Sequence, residues 1–201
     1  MPAPLVPVAD PVALFLDTWE HVKATAPPMF DPAAMTLATC MPDGRPSSRM
    51  VLLRGVTADG FQFFTNYGSR KAFELEATGH AALSFYWHWL DLQVRVEGSV
   101  ARATAADSDA YFASRPRGSQ LGAWASRQST PLGSRTELER RYAEVDAQFA
   151  GAPVPRPPFW GGFTLRPARI EWWQAGDARL HDRLVYFRQA DGTWDAVRLF
   201  P

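Results

Sequence analysis

Three stretches of this chain collect side chains able to hold anions. Asn66-Tyr67-Gly68-Ser69-Arg70-Lys71 sets a flexible glycine, a serine and two adjacent cations where a strand pattern gives way to a helix pattern. A helix N-terminus presents unpaired N–H groups and a positive dipole end, so cations beside it favour a phosphate. An ordinary capped surface helix has the same composition. Between Tyr111 and Gln120, Tyr111, Ser114, Arg115, Arg117 and Ser119 gather beside a helix end, and Ser126-Arg127-Gln128-Ser129 follows shortly after. Arginine forks and hydroxyls match phosphate oxygens; a polar loop is the other reading. The third stretch joins Glu171-Trp172-Trp173 to Arg179-Leu180-His181-Asp182-Arg183, putting aromatic surface beside an imidazole and fixed positive charge. Buried tryptophans next to a charged surface turn would leave the same trace.

Other chemistries are removed by absence. No G-x-G-x-x-G, P-loop, G-x-S-x-G or H-E-x-x-H sequence occurs. His21, His80, His88 and His181 lack metal-ligand spacing, so no catalytic metal is expected. Lys23 and Lys71 are the only lysines, and arginine supplies the remaining positive charge.

The 201 residues carry 21 basic and 21 acidic side chains, a formal net charge of zero, and 46% of them are hydrophobic. That length fits one domain or at most two small ones. Balanced charge lacks the broad field that a general nucleic-acid binder or a membrane-surface protein needs. Cys40 is the single cysteine, which leaves no intramolecular disulfide and no cysteine zinc site. Residues 1–10 hold Pro2, Pro4 and Pro7 without a basic residue, unlike a secretory signal, and no apolar run approaches the roughly 20 residues of a membrane span. The expectation is a soluble, cytoplasmic protein with neither a nucleic-acid nor a membrane partner.

The elements that must position these groups are legible in outline. Residues 12–24 read as a helix with Leu14, Phe15, Trp19 and Val22 on one side, stopped by Pro27 and Pro28. Residues 35–56 read as strand, turn and strand around Pro42-Asp43-Gly44, and Asp59-Gly60 closes a hairpin between residues 50–53 and 61–64. Further strands are expected at 81–87, 92–102 and 163–173. Leu92, Val94 and Val96 alternate with Gln93, Arg95 and Glu97, and Gly98 marks a bulge or bend. A terminal hairpin is expected from 184–187 and 194–199. Ser69 is placed to cap a short helix through Leu75, and Thr104 with Asp107 to start another that ends before Pro116. Ser134 and Glu137 form a capping box for a helix to Phe149, ended by Gly151 and Pro153. With no internal repeat and strand patterns on both sides of each helix, the economical fold is mainly β, a single barrel-like domain with peripheral helices.

Taken together, these segments resemble the pyridoxamine (pyridoxine) 5′-phosphate oxidase family. The likeness runs in order through Asp31-Pro32-Ala33-Ala34-Met35, Arg49-Met50-Val51-Leu52-Leu53, Thr65 to Lys71, Gln93-Val94-Arg95-Val96-Glu97-Gly98, Tyr111 to Ser129, Phe159-Trp160-Gly161-Gly162-Phe163, and Arg179 to the closing Arg198-Leu199-Phe200-Pro201. It covers nearly everything after residue 30.

The resemblance implies an FMN-binding split barrel (α+β) over residues 31–201, including a C-terminal dimerisation and substrate region. Residues 1–30 would form an N-terminal segment and helix, and the assembly would be a homodimer with two flavins at the subunit interface. Carried over by position, Arg49, Met50, Val51, Leu52, Leu53, Phe64, Thr65, Arg70, Lys71, Gln128 and Ser129 would hold FMN, with Gln93, Trp173 and Arg183 completing the flavin site. Arg54, Tyr111, Arg115 and Ser119 would grip the substrate phosphate, and Arg179 with His181 would be the catalytic pair holding the pyridine ring against the flavin. The implied reaction oxidises pyridoxamine or pyridoxine 5′-phosphate to pyridoxal 5′-phosphate. A hydride equivalent passes from C4′ to N5 of FMN, and O₂ is reduced to hydrogen peroxide.

Three departures from the family's pattern stand out, Leu92 near the flavin sheet and the other two at the substrate end. Arg54 stands where the family usually has lysine, and Leu92 replaces an arginine before the Gln93 motif. The N-terminal Arg/Tyr segment that covers the substrate in the family has no evident counterpart among residues 1–10. Two alternatives follow: a related FMN-dependent oxidase acting on another substrate, of the phenazine-precursor type, or a flavin- or pyridoxal-phosphate-binding protein with little turnover.

Overall fold

The structure, a computed structural model, describes residues 4–201, so Pro2 lies outside the described residues. Among these, nine antiparallel strands form one sheet: β1 (Ala34–Cys40), β2 (Pro46–Leu52), β3 (Gly55–Thr57), β4 (Gly60–Asn66), β5 (His80–Trp87), β6 (Leu92–Arg102), β7 (Trp160–Gln174), β8 (Asp182–Arg188) and β9 (Trp194–Arg198). Their order is β2-β1-β5-β6-β7-β4-β3, with β8 also on β7 and β9 on β8. Residues 53 and 54 join its two ends. Leu53 N–H donates to Ala33 O beside β1, and Arg54 N–H donates to Gln62 O in β4, so the sheet curls round on itself as the barrel pattern predicts.

Period-two alternation builds the interior. Leu92, Val94 and Val96 are buried while Gln93, Arg95 and Glu97 are half-exposed on the other face. Phe61, Phe63, Leu83, Phe85 and Leu165 fill the same core, with Phe15 and Val22 of helix α1 (Pro11–Thr25). Asp10 caps α1 by accepting from the N–H groups of Val12 and Ala13, and Phe15 meets the edge of Phe61 at 4.8 Å. The bulge at Gly98 is present as a register shift between Glu97 and Gly98. Glycine is required there, because a Cβ would lie 1.9 Å from the carbonyl oxygen of Arg166.

Four more helices surround the barrel: α2 (Arg70–Thr78), α3 (Ala105–Ser114), α4 (Arg117–Ala125) and α5 (Arg135–Gln148). Thr104 caps α3 through Asp107 N–H, and Ser134 caps α5 through Glu137 N–H. The Glu137 carboxylate returns to Gly133 N–H. Phe112, Leu121, Val154 and Trp160 form a second buried cluster beneath α3 to α5.

Two expectations need correction. The hairpin closed at Asp59-Gly60 pairs β4 with Gly55–Thr57; residues 50–52 belong to β2, paired with β1. Leu53 and Arg54 already spend their N–H groups on the closure, so the chain must restart a short strand after them. Ser69 precedes α2 but makes no side-chain capping bond; it is buried, and its hydroxyl accepts from Lys71. Helix α4, ahead of which stands only Pro116, was not expected from the sequence. No helix among the described residues is long and apolar enough to cross a membrane, and none of their His, Cys, Asp and Glu side chains group as a metal site.

Candidate functional site

A cleft of about 780 Å³ opens between the end of β2, the end of β4, the start of α2 and helices α3 and α4. At one end lies Lys71, whose Nζ donates to Thr65 Oγ1 at 3.1 Å, Ser69 Oγ at 3.2 Å and Gln128 Oε1 at 2.9 Å. Asn66 sets this geometry. Its side-chain Oδ1 accepts from Gly68 N–H and its Nδ2 donates to Ser126 O, tying the β4–α2 turn to the segment that carries Gln128. Burial and the nearby Arg49 guanidinium pull the Lys71 ammonium down to about 8, against the opposing pull of Glu74.

Glu74 is the organiser beneath. Its side chain is wholly buried and accepts from Thr39 Oγ1 (2.5 Å), Ser47 Oγ (2.6 Å), Arg49 Nη2 (3.1 Å) and Arg70 Nε (2.8 Å). Burial pushes its carboxyl up, but the Ser47, Thr39, Arg70 and Arg49 hydrogen bonds overrule that and hold it at about 2. Arg49, Arg70 and Lys71 therefore face one carboxylate, leaving a positive excess at the start of α2, where no side chain caps the first turn. That donor set fits a phosphate monoester.

The other end is an aromatic slab bearing arginines. Phe64 stacks on Tyr111 at 4.2 Å and on Trp160 at 5.6 Å between ring centroids. Arg54 lies over Tyr111 at 5.8 Å and Arg115 over Trp160 at 4.7 Å. Gly162 makes room for the slab, since a Cβ there would sit 2.8 Å from the Phe64 ring. Burial draws the Arg115 guanidinium below its usual range, and its Nη1 is buried without a partner. An unmade buried donor on a cation calls for an external anion. Ser119 completes this end.

A second set of expected residues lies on the half-exposed outer face of the sheet. Gln93, Trp173 and Arg183 are cross-strand neighbours on β6, β7 and β8. The His181 ring lies 4.6 Å from that of Trp173, and its Nδ1 accepts from Gly176 N–H. Exposed Arg179 and its neighbour Ala178 hold positive φ of 64° and 52°, a conformation that costs non-glycine residues of order 1 kcal/mol or more each.

The structure thus brings Met50, Val51, Leu52, Phe64, Thr65, Lys71 and Gln128 into one cleft with Arg54, Tyr111, Arg115 and Ser119. Arg70 and Ser129 line an adjoining depression, and Arg49 reaches the cluster through Glu74. Leu53 has its side chain in the core, and its N–H is taken by Ala33. None of Gln93, Trp173, Arg179, His181 and Arg183 lines the cleft. Sequence reasoning missed Glu74 and gave no role to Asn66 or Trp160, although Asn66 stood in the stretch read as anion-binding. Trp160 stood in a recognised motif, and a tryptophan before two glycines was the available signal; Glu74 looked like any helical glutamate.

Residues 20–149 match the family model described as "Pyridoxamine 5'-phosphate oxidase", and residues 160–201 match "Pyridoxine 5'-phosphate oxidase C-terminal dimerisation region". The chain is 58% identical over 192 residues to a pyridoxine/pyridoxamine 5'-phosphate oxidase of Rubrobacter xylanophilus, covering 96% of this chain and 87% of that one. It is 52% identical over 201 residues to the protein of that name from Anaeromyxobacter dehalogenans, with both chains fully covered. Among solved structures, PhzG from Burkholderia lata 383, in complex with tetrahydrophenazine-1-carboxylic acid, superposes with a TM-score of 0.90 at 32% identity, over 97% of this chain and 94% of that one.

Proposed function

The chain belongs to the pyridoxamine 5′-phosphate oxidase family, and from that premise we propose that it oxidises pyridoxamine or pyridoxine 5′-phosphate to pyridoxal 5′-phosphate, with FMN as its flavin and O₂ as acceptor. The observation that carries this reading is one cleft with an anion pocket at each end: Lys71, Thr65 and Gln128 at one, and Arg54, Tyr111, Arg115 and Ser119 at the other. Two phosphorylated ligands need two such sets.

When bound, FMN would supply the hydride acceptor for C4′ and the path for electrons to O₂. The protein's own work is placement. Lys71, Arg49 and Arg70 would hold the cofactor phosphate, while Met50, Val51 and Leu52 line the cleft beside it. Arg115, fixed over Trp160, would take the substrate phosphate on its unmade donor, with Arg54 beside it. Arg179 and His181 would hold the pyridine ring.

Residues 31–201 act as one FMN-binding unit after an N-terminal segment and helix. Because Gln93, Trp173, Arg179, His181 and Arg183 lie outside their own chain's cleft, the reading completes each site with that set from a second copy, as a homodimer. The match of residues 160–201 to a dimerisation region supports this.

A phosphorylated substrate is favoured over a phenazine-type one by the two arginines, tyrosine and serine at the far end of the cleft. The test is hydrogen peroxide release by the purified protein on addition of each B6 phosphate. A yellow dimer that releases peroxide with either supports the reading. A yellow protein inert to both, or a colourless one, overturns it.

A further inference from the structure

We propose that Glu171 is a positioning residue for the flavin site, its buried carboxylate fixing Arg183, and that the neighbouring Arg95 is a further flavin contact. The inference rests on the reading of Arg183 as a flavin contact. The Glu171 side chain is wholly buried in β7, and three arginines converge on it. Oε1 accepts from Arg183 Nε at 2.9 Å, with Arg183 Nη2 paired to it at 2.8 Å; Oε2 accepts from Arg169 Nη2 and is ion-paired with Arg95 Nη2 at 2.5 Å. Burial pushes this carboxyl up, but the bonds from Arg95, Arg183 and Arg169 hold it below the usual carboxylate range, so it is anionic.

A structural ion pair needs one cation. Among the described residues the only other anion joined to the group is Glu97, which pairs with Arg169. Three guanidinium groups against two carboxylates leave a positive surplus, and crowded like charges oppose folding unless something else gains from them. The surplus falls beside the expected flavin row. Arg95 follows Gln93 by two residues on the same face of β6, and Arg183 pairs directly with Trp173. Arg95 Nε is also buried without an acceptor, the kind of unmade donor that a native sheet seldom retains. The oxygen- and nitrogen-rich edge of a flavin ring is an acceptor of the required class. Arg183 is held from both sides, since its Nη1 donates to Phe200 O at 3.0 Å, so its remaining N–H groups keep a fixed direction.

The test is a double-mutant cycle read by flavin fluorescence as apoprotein is titrated with FMN. Glu171→Gln and Arg95→Gln each weaken FMN binding on the order of tenfold, the scale of a lost charge-assisted hydrogen bond. In an Arg183→Ala background, Glu171→Gln costs clearly less than it does in the wild-type background, because the part of its effect that runs through Arg183 is already missing. Glu97→Gln, which touches only Arg169, leaves FMN affinity unchanged. The cycle is run in parallel with Glu171→Asp, which keeps the charge and shortens its reach, so a variant that does not fold leaves the other to decide. Fully additive losses, an equal loss from Glu97→Gln, or wild-type affinity in the Glu171 or Arg95 variants overturns the inference alone. Wild-type apoprotein that binds no FMN overturns the cofactor reading as well.

Discussion

Lys71 Nζ donates a 2.9 Å hydrogen bond to Gln128 Oε1, tying the first turn of α2 to the segment after α4 across 57 residues of chain. The bond closes this end of the cleft, and the proposed contact of Lys71 with the cofactor phosphate depends on the lysine being charged. With its ammonium drawn down to about 8 by burial and Arg49, Lys71 is cationic below that pH and neutral above it. FMN affinity of the apoprotein therefore falls as pH rises through about 8. Lys71→Ala lowers the flavin bound per purified chain and removes that pH step. Unchanged flavin content in the variant takes Lys71 out of the phosphate site.

At the opposite end, Arg115 lies 4.7 Å over the Trp160 ring with an unmade donor. Arg115→Lys keeps the charge but loses both the planar stack and the fork, so KM for the phosphorylated substrate rises on the order of tenfold while kcat changes less. Steady-state assays with phosphorylated and unphosphorylated pyridoxine separate the causes, since the penalty should be confined to the former. An equal penalty on both contradicts phosphate binding by Arg115.

Exposed Arg179 contacts none of the groups that cluster around Glu74 and Lys71. Arg179→Ala should therefore lower kcat by about 10² through loss of substrate placement, leaving FMN affinity close to wild type. Parallel measurement of turnover and FMN titration checks this, and matched losses in both would contradict the assignment.

Glu74 makes the fold acid-sensitive. Its carboxyl sits at about 2 in the folded protein against 4.5 for a free side chain. A depressed carboxylate stabilises the fold fully above the unfolded value, and that contribution fades as pH falls from 4.5 towards 2. The difference is worth about 3 kcal/mol at neutral pH. Denaturant unfolding should show Glu74→Gln markedly less stable than wild type near neutrality and much closer to it at about pH 3. A constant gap between the two proteins across that range would be the contrary result.

Much of the scaffold was legible because its causes are local. Thr104 and Ser134 stand three residues before the N–H groups they cap, and the alternation from Leu92 to Glu97 is a property of six consecutive residues. Helix α4 was not legible. Its sequence, Arg-Gly-Ser-Gln-Leu-Gly-Ala-Trp-Ala, holds two glycines and no capping side chain, and it gains its order by burying Leu121 and Ala125. The three-residue β3 carries too little pattern to be read before its pairing with β4 is known.

Residue order by itself determined most of the strands, most helix boundaries and the choice of Lys71 and the clustered arginines as candidates for holding anions, since capping, alternation and motif are short-range. Only the tertiary structure decided which cations share a carboxylate. Glu74 meets Thr39 and Arg49 from 35 and 25 residues away, and Glu171 meets Arg95 across two strands that are far apart in sequence. It also decided that the expected site divides between a cleft and an outer sheet face, because the pleat sends neighbouring side chains to opposite sides whatever their eventual ligand.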